Sequence, residues 1–141
     1  MDDLQSVLKW SLLSMAVYFL AVSGAHFFGF KIPMLYVYYD LPSTVYQDKL
    51  ISFTMFGWSM FFVAGYSSVK RDSLRSVRYI VFAGIYAVLM LTFINLFTDF
   101  KQYPTAHPWI YWLETIVLGA ALIWITVLYK ILKRRQEESL S

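Results

Sequence analysis

The sequence predicts an all-α integral membrane protein: a four-helix bundle with a short cytoplasmic loop and a longer aromatic outer loop. Three observations predict it. Hydrophobic residues make up 59% of the chain and charged ones 15%, too few polar side chains to clothe a water-soluble domain. Apolar residues come in four runs, each near the ~20 residues needed to cross a hydrocarbon core. Those runs lack the alternating polar and apolar faces that helices of a soluble bundle show. At 141 residues the chain is read as a single membrane domain, 1–141, with helices at about 10–30, 45–68, 77–98 and 109–131.

The first run, Trp10 to Phe30, contains Ser23-Gly24-Ala25, which resembles a signal-peptide cleavage site. The apolar run continues beyond it, so this segment is read as an anchor helix. The loop that follows, "KIPMLYVYYDLPSTVYQDK", spans residues 31–49. Pro33 stops the first helix from continuing, and Pro42 forces Leu41 out of helical geometry. Met34 to Tyr39 reads as an extended or amphipathic piece lying in the membrane interface. The whole loop is expected to be ordered, its aromatics packed on the outer end of the bundle.

The second run, Leu50 to Tyr66, is the weakest, broken by Ser52, Thr54, Gly57 and Ser59. It reaches full length only if its helix begins near Ser43 or Thr44, either of which can cap it. The third run is Tyr79 to Phe97. The second outer loop, "TDFKQYPTAHP", is short, and Pro108 suits the first turn of the fourth helix, whose apolar run is Trp109 to Tyr129. The tail "KRRQEESLS" reads as a short polar, frayed segment.

Basic residues near helix ends set topology, with the excess on the cytoplasmic side. Lys9, the 70–78 loop (Lys70, Arg71, Arg75, Arg78) and the C-terminal end (Lys130, Lys133, Arg134, Arg135) place nine of the twelve on one side. Only Lys31, Lys49 and Lys101 fall on the other. Both termini are therefore expected in the cytoplasm, in a bacterial inner membrane. The net charge of +3 is no nucleic-acid signal, since these cations sit where they anchor helices to headgroups. Tyr and Trp form belts at both interfaces, the outer one heavier: Tyr36, Tyr38, Tyr39, Tyr46, Tyr103, Trp109, Tyr111 and Trp112. Small residues mark expected helix contacts: Ala21 and Ala25, Ala64 and Ser68, Ala83 and Ala87, and Gly119 to Ala121.

The chain has no cysteine, which excludes disulfides, thiol redox catalysis and Cys-ligated zinc or iron–sulfur centres. P-loops, dinucleotide fingerprints and Ser–His–Asp signatures are absent too, so no catalytic residue is assigned. What chemistry there is gathers at the outer side. His26, Asn95 and Glu114 lie at a similar depth in the first, third and fourth helices, with Asp99 and His107 just above and Asp40 and Asp48 bordering the outer loop. Thr92, Asn95 and Asp99 share one helical stripe. Polar side chains in hydrocarbon must turn inward and find partners. His26, Asn95 and Glu114 are accordingly expected to form one hydrogen-bonded cluster, and with Asp99 they are the candidate ligand-binding residues. His26, Glu114, Asp99 and His107 have metal-ligand types, but no tight ligand spacing accompanies them, and the metal assignment stays open. With two histidines, one beside Pro108, haem ligation is not expected, and no cofactor is predicted.

The layout of four short-looped helices resembles that of the DoxX-like small bacterial membrane proteins. The specific likeness lies in "AHFFGFKIPMLYVYYDLPSTVYQDKLISFTMFGW", residues 25–58. This resemblance implies an accessory membrane subunit, some such proteins being tied to quinone-linked oxidation. Here the second helix carries Phe56-Gly57-Trp58, where those proteins often set an acid beside a glycine. The expected function is thus a non-catalytic accessory or assembly subunit of a membrane complex. Its partners would be the lipid bilayer and other membrane proteins or further copies of itself, with no nucleic acid. The alternative is a binding protein for a quinone-like, lipid or metal ligand at the polar layer near the outer face.

Overall fold

The computed structural model describes residues 3–37 and 39–139. It is all-α: α1 (Asp3–Phe28), α2 (Val45–Lys70), α3 (Arg75–Phe97), a 3₁₀ turn (Phe100–Gln102) and α4 (Pro108–Glu138). Each of the four α-helices is long and apolar enough to cross a membrane, so the protein is a multi-pass membrane protein. The helices run up and down as an antiparallel ring in which each packs on its chain neighbours and α4 returns to α1. One end of the bundle carries the long α1–α2 loop and the α3–α4 connection; it is called here the loop end. The opposite, basic end carries the tight α2–α3 turn and both chain termini.

Local chemistry sets the helix boundaries. Gly29 ends α1 by adopting φ 75°, which lets the Phe30 amide bond back to the Ala25 carbonyl at 2.8 Å. The helix thus stops ahead of Pro33, the expected breaker. Thr44 caps α2 through a reciprocal box with Gln47, and Pro108 opens α4, both as the sequence indicates. The two chain ends depart from expectation. α1 begins at Asp3 rather than near Trp10 because Leu8, 0% exposed, extends the packed face toward the terminus. The tail from Lys133 continues α4 as far as Glu138, held by Leu132 in the core and by Arg134–Glu138 and Lys133–Glu137 pairs at i, i+4.

The two halves of the bundle are packed differently. In the basic half, Leu8 and Leu12 of α1, Phe62 and Val69 of α2, Ile80 of α3 and Ile125 of α4 interlock as a dense core. Gly65 makes this possible, because a Cβ there would sit 2.4 Å from Ile80 Cδ1. Hydroxyls bind α1 to α2 along their length: Ser59 Oγ donates to the Ala16 carbonyl and Ser23 Oγ to the Ser52 carbonyl, both at 2.8 Å. Of the small residues expected at helix contacts, Ala25 and Ser68 are buried, whereas Ala21 and Ala64 face outward. In the loop half the two helix pairs, α1–α2 and α3–α4, stand apart and enclose a cavity.

Candidate functional site

The cavity holds about 630 Å³, within the ~300–1,000 Å³ usual for small-molecule sites. Its floor is apolar, formed by Phe19, Phe62, Ile80, Leu122 and Ile125. Phe19 stacks on both Phe62 and Trp58, which closes the bottom with aromatic rings. Toward the loop end the wall turns polar at Tyr18, Asn95, Glu114 and Thr115. Met34, Leu35, Val37 and Leu41 of the α1–α2 loop cover this end. The segment read as an interfacial piece therefore folds down over the bundle. Tyr36 is 1% exposed, buried in the roof rather than lying in the interfacial belt. Tyr38, expected in the same belt, lies outside the described residues.

The roof is pinned at three places, each joining loop backbone or an acidic side chain to a helix. Met34 is the first. Its carbonyl accepts the Tyr18 hydroxyl of α1 at 2.8 Å, and its backbone lies beside the Glu114 carboxyl of α4. Met34 adopts φ 67°, a left-handed conformation costly for a residue with a β-carbon. The Tyr18 bond helps to hold it there.

His26 makes the second. Its Nε2 accepts the Val37 amide at 2.9 Å, and its ring stacks on Tyr36 with centroids 4.0 Å apart. Because Nε2 is an acceptor, the neutral imidazole carries its proton on Nδ1. That atom faces Asp48 Oδ1 of α2 at 3.6 Å. Burial, then the Asp48 carboxylate, raises the Tyr36 phenol above its usual value.

Asp40 makes the third, binding the loop to the start of α4. It accepts the Tyr111 hydroxyl on one oxygen, and on the other the His107 amide at 2.6 Å and His107 Nδ1 at 2.8 Å. Burial alone would raise its carboxyl; the bonds from Tyr111 and His107 outweigh that and hold it below the ordinary carboxylate value. Lys49 adds a tie at the same end, its ammonium donating to the Phe27 carbonyl at the end of α1.

The candidate residues therefore part company. Asn95 and Glu114 line the cavity. His26 does not; it is buried in the roof contact, and the expected His26–Asn95–Glu114 cluster does not form. Asn95 instead joins α3 to α4, donating to Thr115 Oγ1 at 2.9 Å and to the Tyr111 carbonyl at 3.2 Å. Asp99 is exposed and stands outside the cavity lining, capping the 3₁₀ turn through the Lys101 amide and the Gln102 side chain. Among the described residues no three His, Asp or Glu side chains converge as a metal set would. His26, Glu114, Asp99 and His107 face different partners. Equal depth along helices is an axial coordinate only; which side chains meet depends on helix rotation and on the donors that the loop brings in.

Sequence reasoning passed over Tyr18 and placed Asp40 only as an acid bordering the outer loop. Tyr18 sits in the middle of an apolar run, and a phenol in hydrocarbon needs a partner; that was its signal. Asp40 follows three tyrosine-rich positions and looks like an ordinary loop acid until Tyr111 and His107 are beside it.

Comparison with family models, with curated proteins and with solved structures returns no match.

Proposed function

We propose that the protein is a non-catalytic membrane protein of the bacterial inner membrane, with both termini cytoplasmic, that holds a lipid-like or quinone-like molecule in its roofed cavity. The observation that carries this reading is the contrast between the dense basic half and the loop half, where about 630 Å³ is lined mainly by apolar side chains and the polar groups, the Trp58 ring nitrogen apart, gather toward one end. Side chains filling that volume would add many dispersion contacts, so a chain that only needed to be stable would gain by packing the space itself. The polar groups converge beneath a roof pinned at three points, the arrangement of a site that orients one end of an elongated guest.

The test is purification from native membranes in a mild detergent, followed by extraction and mass spectrometry of bound lipids. Wild type should carry a molecule enriched over bulk lipid, and Ala87→Phe, which fills the cavity wall, should lose it. Identical profiles in the two proteins, both matching bulk membrane, would rule the reading out.

A second reading rests on a different observation. α3 buries only Val77, Ile80 and Val81, while Phe82, Tyr86, Leu89, Phe93 and Leu96 face outward at alternating spacings of four and three residues. That seam suits another transmembrane helix. It supports an accessory-subunit role, as the DoxX-like resemblance implies, and blue-native electrophoresis of wild type against Phe82→Ala/Phe93→Ala tests it. A complex of unchanged size in the double variant would count against this second role.

A further inference from the structure

Resting on the cavity reading, we infer that the occupant is a single-chain amphiphile whose head donates hydrogen bonds and carries no negative charge, a long-chain alcohol or amine. The shape of the cavity gives the single chain. On α4 the part of its lining below the polar end runs from Glu114 to Ile125, about 16 Å at 1.5 Å per residue. That is roughly half the ~30 Å hydrocarbon thickness, the depth of one lipid tail. Below Glu114 the wall is largely methionine, leucine, isoleucine, valine and phenylalanine, and the Trp58 ring N–H is a lone donor at the floor, no match for a second polar head. Met90 and Ile94 line the cavity and are also 41% and 52% exposed, so its side wall on α3 adjoins the lipid phase from which such a molecule would enter.

The hydrogen-bond inventory gives the head. Both N–H groups of the Asn95 amide are engaged, by Thr115 Oγ1 and by the Tyr111 carbonyl. The reverse amide orientation would set oxygen against the Tyr111 carbonyl, so Oδ1 is the atom left over, and among the described residues nothing donates to it. The Thr115 hydroxyl donates to the Tyr111 carbonyl and the Tyr18 hydroxyl to the Met34 carbonyl. The Glu114 carboxyl lies beside the Met34 backbone, and its oxygens have no other hydrogen-bond partner among the described residues. The polar end therefore offers acceptors. The donors elsewhere in the lining lie apart from it: Trp58 packs beside Phe62 at the floor, and Tyr103 is 36% exposed at the rim.

Charge excludes the commonest lipids. No Lys, Arg or His lines the cavity, while Glu114 does. A fatty acid or phospholipid head would bring its own negative charge beside the Glu114 carboxyl with no cation to balance it, in surroundings where unpaired charge is costly. A hydroxyl can donate to Glu114 and Asn95 Oδ1, and an ammonium can do so with added charge attraction.

The experiment uses full-length protein in phosphatidylcholine nanodiscs and a diazirine-bearing C18 alcohol as photoprobe, with oleyl alcohol, oleylamine and oleic acid as competitors. Labelling should be saturable, map to cavity-lining peptides and disappear in Ala87→Phe. Oleyl alcohol and oleylamine should displace the probe at concentrations about tenfold or more below oleic acid, as expected when an anionic head finds no cation in the cavity. Glu114→Gln keeps an acceptor, so it should weaken oleylamine about tenfold while sparing oleyl alcohol; Glu114→Leu should weaken both. Helical circular dichroism and a monodisperse elution profile confirm that each variant is folded. Displacement by oleic acid as effective as by the alcohol and the amine, or competition unchanged in Glu114→Leu, overturns the assignment of the head and leaves the cavity reading standing. Labelling that does not saturate and persists in Ala87→Phe overturns both.

Discussion

The Val37 backbone amide donates to Nε2 of His26 at 2.9 Å, so a histidine on α1 acts as an acceptor for the loop above it. A protonated imidazole would present a donor to a donor, so this contact requires the neutral ring.

Replacing His26 with phenylalanine keeps the stack on Tyr36 but leaves the Val37 amide without an acceptor. The expected cost is about 1–3 kcal/mol, that of a buried donor left unmade. Amide exchange should accelerate at residues 35–37 and stay unchanged in the basic half. Wild-type exchange rates in the loop of His26→Phe would show that the contact does not hold the roof.

Asp40 gives the roof a pH dependence of definite sign. Its carboxyl is held below the ordinary value of 3.8, so its stabilising contribution is fully present above that value and is lost as pH falls through the lower folded-state value. Loop proteolysis or exchange in detergent should therefore rise only below about pH 4. Asp40→Asn should show raised loop exchange at neutral pH, a loss of about 1–3 kcal/mol, and a flattened acid limb. An acid limb in Asp40→Asn as steep as in wild type would assign the transition to another carboxylate.

Two glycines should respond differently to alanine. At Gly65 a Cβ would lie 2.4 Å from Ile80 Cδ1, with Leu12 at 3.5 Å behind it in the filled core. At Gly84 the overlap is smaller, with Leu122 Cδ1 at 2.7 Å; both side chains touch the cavity, but Leu122 is half-buried and has room to turn, whereas Ile80 is fully buried in the core. Gly65→Ala should thus lose about 1–3 kcal/mol and be rescued by Ile80→Val, which removes the clashing carbon. Gly84→Ala should change stability little. Equal losses at the two sites in a steric-trap assay would contradict the division into a filled half and a hollow half.

Asn95 and Thr115 share a hydrogen bond between α3 and α4. Asn95→Ala and Thr115→Val should each cost about 0.6–1.7 kcal/mol, and the double variant less than their sum. His26 and Glu114 have separate partners, so their substitutions should combine additively to within about 0.5 kcal/mol if the two sites are independent. Strong coupling between His26 and Glu114 would restore the polar cluster that the hydrogen bonds divide.

Terminal reporters check the orientation. With nine of the twelve basic residues on the side of the termini, alkaline phosphatase fused to the C-terminus should be inactive and a fluorescent-protein fusion bright. Phosphatase activity at that terminus would invert or break the four-span arrangement.

The sequence by itself determined the four spans, the Thr44 cap, the Pro108 start and the gathering of polar groups toward one end. Each is a property of a continuous segment: summed hydropathy, a side chain beside its own backbone, a fixed ring in a first turn. The weakest run in the sequence, that of α2, also has the lowest mean hydropathy of the four helices, 1.3. Tertiary structure alone decided which polar groups meet. Helical phase places Asn95 on an inward stripe, but Tyr111 and Thr115 become its partners only through the rotation of α4. That the outer loop packs on the bundle's end was legible in its aromatics; that a loop amide and Asp40 pin it there, on His26, Tyr111 and His107, was not. Local chemistry sets where a helix starts and stops. The cavity arises from how far two helix pairs approach one another, and that distance depends on residues such as Gly65 and Ile80, fifteen positions apart in the chain.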